Sequence, residues 1–213
     1  PMNALEDNEF SRAWKETGKA LPLPKAILCI SAHWETDGSA VTAVEKPKTI
    51  HDFSGFPKPL YEVQYPAPGS PALAALVKAA VKSLHVRSDH AWGLDHGAWS
   101  VLRRLYPAAD IPIVQLSLNQ TQPPQYHYSL GQELRSLRRK GVLIVGSGNM
   151  VHNLFRVVFE DKAYSWAVDF NETLRTLIEA RDHHALIHYH TLGPAAKLAV
   201  PSNEHFLPLL YIL

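Results

Sequence analysis

The stretch Ala26-Ile27-Leu28-Cys29-Ile30-Ser31 is a short, continuous apolar run that leads directly into Ala32-His33-Trp34. An apolar run of this length predicts a strand buried on both faces, which is typical of a parallel sheet. Residues 142–147 repeat this pattern and are followed by Gly148-Asn149-Met150-Val151-His152. Each of the two predicted strands therefore leads to a histidine just past its carboxyl end.

Further predicted strands and helices alternate along the rest of the chain. Strands are expected at 40–44 and 111–117, and helices at 3–20, 72–84, 129–140 and 165–180. A glycine-flanked turn over 92–99 is expected to lead into a further helix through Leu105, and 202–205 to open a last helix. This alternation predicts an α/β fold. We expect one catalytic domain over residues 1–213, with a central, mostly parallel or mixed sheet flanked by helices.

The composition limits the classes of partner. The 213 residues are 46% hydrophobic, enough to bury the core of one globular domain. Lys and Arg number 21 against 20 Asp and Glu, so no broad field favours nucleic acid or an anionic membrane. A small-molecule substrate is expected instead, and a homo-oligomer stays open.

The sequence shows no targeting signal and has a single cysteine. No segment approaches the roughly 20 apolar residues that span a bilayer, and the first residues show no basic-then-apolar signal pattern. A cytoplasmic protein is therefore expected. The single cysteine, Cys29, excludes an internal disulfide and a cysteine-based zinc site.

Twelve histidines are many for this length, and histidine is the commonest metal ligand. In open α/β sheets ligands gather beyond the carboxyl ends of the strands, which favours a functional role for His33 and His152. His96 lies between Asp95 and Gly97, where a carboxylate could orient a catalytic imidazole or a structural one. His205 follows Glu204, and that pair could equally be helix-capping chemistry.

Residues 46–69 are rich in proline, glycine and aromatic side chains and predict a long ordered loop around Ile50-His51-Asp52-Phe53. Loops of this kind often form lids or binding walls, so His51 is expected to line a pocket and contact substrate. The histidines of 183–190 lie in a polar stretch and are expected to be solvated. The sequence has neither a phosphate-binding Gly-x-x-x-x-Gly-Lys loop nor a Gly-x-Ser-x-Gly elbow.

Six motifs in order resemble one family: Ser31-Ala32-His33-Trp34, Thr49-Ile50-His51-Asp52-Phe53, Tyr65-Pro66-Ala67-Pro68-Gly69, Gly93-Leu94-Asp95-His96-Gly97, Gly146-Ser147-Gly148-Asn149-Met150-Val151-His152-Asn153-Leu154 and Glu204-His205-Phe206-Leu207-Pro208-Leu209. That family is the class III extradiol dioxygenases. Within it the chain is most similar to the 4,5-DOPA dioxygenase branch, which is related to the catalytic subunit of protocatechuate 4,5-dioxygenase.

The resemblance implies a non-haem enzyme that uses Fe(II) or Zn(II) and inserts both atoms of O₂ into a catechol-type ring, DOPA-like or protocatechuate-like, with ring opening. It implies that His33 is a metal ligand, and that His205, or Glu204 beside it, is another. His152 would stand next to the metal as an acid/base or additional ligand. His96 would contact the substrate.

Members of the family carry a Gly-His-Gly-Ser-Pro turn just before the segment that resembles Pro1-Met2-Asn3, and its histidine is a metal ligand. We therefore expect a short metal-binding turn before residue 1 and closing strands after residue 213. Two alternatives to the dioxygenase stay open at this point. One is a zinc hydrolase that uses the same histidines to activate water, and the other is a non-catalytic binder of metal or aromatic ligands.

Overall fold

The computed structural model describes residues 1–158, 160 and 162–213. They form a five-stranded sheet built from Ala26–Thr36 (β1), Ser39–Thr42 (β2), Val86–Asp89 (β3), Ile113–Asn119 (β4) and Val142–Ser147 (β5). The strand order is β3-β2-β4-β1-β5. All neighbours are parallel except β2 and β4, which pair antiparallel. The predicted α/β fold with a mixed sheet is confirmed.

Helices cover both faces of this sheet. The α-helices of the described residues are Glu9–Ala20 (α1), Lys58–Tyr61 (α2), Pro71–Ala80 (α3), His96–Leu105 (α4), Pro124–Leu134 (α5), Ser165–Glu179 (α6), His183–Ile187 (α7), Pro194–Ala199 (α8) and Leu207–Leu210 (α9). Short 3-10 helices occupy Met2–Ala4, Arg135–Lys140, Leu154–Arg156 and Tyr189–Thr191. Among the described residues, none of the helices combines the length and the apolar character that crossing a membrane requires.

Strand β1 is buried on both faces of the sheet. Its successive side chains point to opposite faces, and each face is covered by an apolar cluster. Ile27 and Cys29 pack into one apolar cluster with Trp99 of α4. Leu28 and Ile30 belong to a second cluster, which α3, α5 and α9 complete on the other face. A continuous apolar run is what such a central strand requires.

The structure corrects several predicted boundaries. His33 lies inside β1 rather than just past its end. Pairing of β1 with β5 nevertheless stops at Ser31, and the register with β4 shifts between Ile30 and Glu35, so His33 occupies an irregular stretch of the strand. Strand β3 was not predicted, because Val-Arg-Ser-Asp is short and polar and pairs only with β2 at the edge of the sheet.

Two helices begin later than predicted. Helix α1 starts at Glu9, where Asn8 caps it by accepting a hydrogen bond from the backbone N–H of Ser11. Residues 202–205 do not open the last helix but form a turn before α9, in which the carbonyl of Asn203 accepts hydrogen bonds from the backbone N–H groups of Phe206 and Leu207. This turn faces the end of β5.

Candidate active site

A cavity of about 580 Å³ lies where β1 and β5 end. Residues from six separate parts of the chain line it, and four of them are histidines: His33, His96, His152 and His205. These are the four histidines that the sequence singled out at strand ends and beside carboxylates. The fold therefore brings the predicted metal and proton-transfer residues to one place.

A buried hydrogen-bond network joins β1 to the start of α4 and so positions His33 and His96. Asp95 caps α4 by accepting from the backbone N–H of Ala98. Its Oδ1 also accepts from the hydroxyl of Ser31 at 2.6 Å, and its Oδ2 accepts from the side-chain amide of Gln115 at 2.7 Å. Burial raises the pKa of Asp95, and the hydrogen bonds from Ser31 and Gln115 oppose that rise.

Gly97 allows α4 to approach β1 at this point. A Cβ atom at position 97 would lie 2.3 Å from Ser31 Oγ and 2.9 Å from Cδ2 of His33. The carbonyl of Gly97 accepts a hydrogen bond from Ser147 Oγ at 2.6 Å, which also fixes α4 to the end of β5. A larger residue at this position would require the Ser31 hydroxyl and the His33 imidazole to shift.

Asp52 contacts both His96 and His33, although no sequence pattern distinguishes it from its neighbours in the loop. Its Oδ1 accepts from the backbone N–H of His96 at 2.8 Å, and its Oδ2 lies 2.9 Å from His96 Nδ1. The same Oδ2 lies 3.5 Å from Nδ1 of His33. Loop 46–69 is held here because Leu94 exchanges backbone hydrogen bonds with its residues Lys48 and Ile50.

His205 and His152 form the other half of the site. Their rings stack with centroids 3.4 Å apart and planes inclined by 9°. The carbonyl of His205 accepts from the backbone N–H of Asn149, and the backbone N–H of His152 donates to the carbonyl of Ala199. Gly148 is required between them, since a Cβ atom there would lie 2.1 Å from the His205 carbonyl oxygen.

Glu204 contacts the ring of His205 in the way that Asp52 contacts the ring of His96. Its Oε1 lies 2.9 Å from His205 Nδ1 and accepts from the hydroxyl of Ser202 at 3.1 Å. Metal-binding histidines commonly donate their second ring N–H to a carboxylate, which orients the ring and raises its basicity. Both carboxylates of the site have this relation to an imidazole.

Burial favours the neutral form of the imidazoles of His33, His152 and His205. Burial, followed by the nearby rings of His96 and His205, lowers the pKa of His33 to about 3. Burial is also the main cause that lowers the pKa values of His152 and His205. A neutral imidazole has a free nitrogen lone pair, which is the form that binds a metal ion or accepts a proton.

The two carboxylates behave in the opposite way. Burial works against the charged form of Asp52, yet hydrogen bonds from the side chain and backbone of His96 hold its pKa below the ordinary value. Burial likewise opposes ionisation of Glu204, and hydrogen bonds from His205, from its own backbone and from Ser202 together outweigh burial and lower the pKa of Glu204. Both groups are therefore charged acceptors at neutral pH.

The predicted contact residue His51 does not line the cavity. Its Nε2 lies 3.0 Å from the carbonyl oxygen of Val63, and its ring packs against Phe53 and Trp99. Phe53 instead reaches the cavity, together with further aromatic side chains, Phe10, Trp14 and Phe56. Phe10 and Trp14 belong to α1, whose amphipathic pattern does not reveal that part of its apolar face lines a site.

The donor chemistry of the cavity fits a transition metal. Two groups of side chains have potential ligand atoms within 4.8 Å of one another: His33 with Asp52 and His96, and His152 with Glu204 and His205. Imidazole nitrogens suit iron and zinc, and a carboxylate completes the common sets for both. An α/β sheet that gathers such groups around a cavity at its strand ends is typical of a metal-dependent enzyme.

Comparison with known proteins identifies the class further. Residues 4–213 match the family described as the catalytic LigB subunit of aromatic ring-opening dioxygenase, and the chain belongs to this family. The prediction of an extradiol ring-cleavage dioxygenase is confirmed by this membership and by the relatives that follow.

Curated relatives support the same assignment. A protein of Escherichia coli (strain K12) named 4,5-DOPA dioxygenase extradiol is 47% identical, with 100% of this chain and 80% of the relative covered. A protein of Beta vulgaris with the same name is 43% identical over 98% of this chain and 81% of the relative. A crystal structure of an uncharacterised Escherichia coli K12 protein superimposes with a TM-score of 0.84 at 42% identity, covering 98% of this chain and 82% of that one.

Proposed function

We propose that the chain cleaves a DOPA-like catechol by the extradiol route, opening the ring beside its two hydroxyl groups and incorporating both atoms of O₂. The observation that carries this proposal is the convergence of four imidazoles on one cavity, with Asp52 and Glu204 bonded to two of them. Cleavage of a catechol requires a metal and a base close to its two hydroxyl groups. The four imidazoles offer both metal ligands and a base at one place.

His33 and His205 are the proposed metal ligands from this part of the chain. Glu204 is assigned to orient His205 rather than to bind metal itself, because its Oε1 already accepts from His205 Nδ1 and from Ser202 Oγ. Fe(II) is the proposed resident ion, since it would supply the redox chemistry that the reaction of O₂ with an aromatic ring requires. Zn(II) suits the same imidazoles as ligands but has no redox chemistry.

His152 is the proposed proton-transfer residue. Its lowered pKa leaves the imidazole unprotonated at neutral pH, so it can take a proton from a phenolic hydroxyl and later return one to the product. Stacking on His205 and the backbone hydrogen bond to Ala199 hold the ring in one orientation. General acid–base catalysis of this kind contributes typically about 10²- to 10⁴-fold to a rate.

The walls of the cavity favour a flat aromatic substrate. Phe53 and Phe56 contact each other edge to face with centroids 5.4 Å apart, and both line the cavity. Aromatic faces of this kind bind a second ring by stacking or edge contacts. Because two relatives with over 40% identity carry the name 4,5-DOPA dioxygenase extradiol, DOPA is the first substrate to test.

The test loads the full-length protein with Fe(II) without oxygen, then adds O₂ and DOPA, protocatechuate or catechol. Formation of the yellow ring-opened semialdehyde, together with stoichiometric O₂ uptake, is expected with iron and not with zinc. His152→Ala should keep the metal and lose at least about 100-fold in rate. In contrast, His184→Ala, at an exposed position of α7, should match the parent. Absence of ring opening with every catechol, despite stoichiometric iron, would overturn the proposal and favour zinc-dependent hydrolysis at the same histidines.

A further inference from the structure

Asp52 contacts His96 beside the cavity, and the proposed function does not yet give this carboxylate a role of its own. The carboxylate contacts that residue twice, through the backbone N–H at 2.8 Å and through Nδ1 at 2.9 Å. The Asp52 side chain is only 18% exposed, and that of His96 is 10% exposed. A two-point contact between side chains that are this little exposed fixes the orientation of the ring.

This contact also determines which nitrogen carries the hydrogen. An ionised carboxylate can only accept hydrogen bonds, so the ring of His96 must donate from Nδ1. In a neutral imidazole the other nitrogen, Nε2, then has a free lone pair. Nε2 of His96 has no hydrogen-bond partner among residues 1–158, 160 and 162–213, and the side chain lines the cavity.

We propose that Asp52 is a positioning residue that locks His96 in the tautomer with its hydrogen on Nδ1, so that Nε2 accepts a hydrogen bond from a ring hydroxyl of the substrate. This inference rests on the proposed function and adds the direction of one substrate contact to it. With a hydrogen on Nε2, the ring of His96 could only donate to that hydroxyl. The tautomer with a free Nε2 therefore favours the substrate orientation in which this hydroxyl donates its hydrogen bond to His96.

A role of Asp52 as a direct metal ligand is less compatible with its contacts. Each of its two oxygens already accepts a hydrogen bond from His96, one from the backbone and one from the ring. Oδ2 is also 3.5 Å from His33 Nδ1, so the same oxygen lies between the proposed metal ligand and the substrate-contacting histidine. Asp52 thus sets the relative orientation of two rings whose centroids are 3.8 Å apart.

Two substitutions separate this role from simple packing. In Asp52→Asn the carbonyl oxygen can keep the bond to the His96 backbone, while the amide donates to Nδ1 and forces the hydrogen onto Nε2. Asp52→Ala removes both contacts and leaves the tautomer free. If Asp52 only supported the fold, the alanine variant would be the more damaged one. We expect the opposite order for catalysis, with Asp52→Asn reduced at least as far as Asp52→Ala.

The direct readout is long-range ¹H–¹⁵N correlation NMR of ¹⁵N-histidine-labelled, metal-free protein at pH 8. Disappearance of signals in His96→Gln assigns the ring of His96. We expect the parent to carry hydrogen on Nδ1 only and Asp52→Asn to carry it on Nε2. In steady-state assays with the Fe(II) protein and a catechol, kcat of Asp52→Asn should fall about 10- to 100-fold, the range for lost partners of this kind.

The outcomes decide the inference independently of the enzymatic proposal. Hydrogen on Nε2 of the parent, or an unchanged pattern in Asp52→Asn, overturns the role of Asp52 whether or not any ring is opened. An Asp52→Asn variant with kcat within twofold of the parent overturns it as well. If the parent opens no ring at all, the proposed function fails, and the NMR result alone still supports or overturns the tautomer. Asp182→Asn, which alters the exposed cap of α7, should change neither readout.

Discussion

Asp95 is the buried carboxylate that ties β1 to the first turn of α4, and Asp95→Asn is predicted to break one specific hydrogen bond of its network. Oδ1 accepts from Ser31 Oγ and from the backbone N–H of Ala98, and an asparagine oxygen can keep both. Oδ2 accepts from the side-chain amide of Gln115. In the variant an NH₂ group would face the NH₂ of Gln115 instead.

The expected loss in the free energy of unfolding follows from these two opposed NH₂ groups. Gln115 cannot simply rotate its amide, because its Oε1 accepts from the backbone N–H of Asp95 at 3.0 Å. A hydrogen bond to a charged group contributes about 1.5–3 kcal/mol, and a buried donor left without a partner costs about 1–3 kcal/mol. We therefore expect Asp95→Asn to lower the free energy of unfolding by about 2–4 kcal/mol, a large share of the roughly 5–15 kcal/mol typical of a domain.

The assay is urea unfolding of the two single variants and of Asp95→Asn combined with Gln115→Glu. In the double variant the introduced glutamate can accept from both the side-chain amide of the introduced asparagine and the backbone N–H at the same position, with the same net charge as the parent. At least half of the lost stability should return. A coupling free energy within about 0.5 kcal/mol of zero would refute the reasoning. Asp182→Asn, at an exposed helix cap that asparagine also satisfies, should change stability by less than about 0.5 kcal/mol.

Three further predictions concern pH, metal and packing. Burial lowers the pKa of His127 to about 4, below the roughly 6.5 of an unfolded chain, so its contribution to stability should be present above a pH of about 6.5 and lost as the pH falls towards 4. Urea unfolding across this range checks it, and an equally steep dependence in His127→Gln would contradict it. Glu204→Gln should weaken metal binding about 10- to 100-fold, measured by competition with a chelator. His205→Ala should abolish stoichiometric metal binding. Equal losses in the two variants would refute the assignment of His205 as the ligand and of Glu204 as the residue that orients it. Gly97→Ala should cost about 1–3 kcal/mol through overpacking against His33, and thermal unfolding that matches the parent would show that the close approach is not required.

The sheet was predictable where burial leaves a clear pattern. Strand β5 was predicted with its observed bounds, since Val142–Ser147 is apolar and ends in small residues. The edge strand β3 was not, because a strand with one neighbour and an exposed side needs no apolar run. The continuation of β1 through His33 was also missed. There the chain stays extended only because β4 still pairs with Glu35 and Thr36 beyond the register shift.

The site residues were likewise most readily predictable where they follow a buried apolar strand. His33 and His152 were selected because they follow apolar strands, and parallel neighbours necessarily end at one edge of a sheet. Within the long loop, His51 was selected and Asp52 was not. Adjacent loop residues carry no periodicity that tells which side chain faces a cavity, and the choice is made by backbone hydrogen bonds between Leu94 and the loop. Those contacts are long-range and leave no signal in the local sequence.

Two carboxylates, Asp52 and Glu204, make the same kind of contact to a histidine of the site. Asp52 and Glu204 each lie 2.9 Å from Nδ1 of a histidine, so His96 and His205 are each left with Nε2 as the free nitrogen. Carboxylate partners make an imidazole more basic and fix its direction without adding their own oxygens to the metal. Since one carboxylate comes from loop 46–69 and the other from the turn before α9, the chemistry of the cavity depends on two segments that contain no strand. Substitutions that shift either segment should therefore reduce activity even when every cavity-lining histidine is intact.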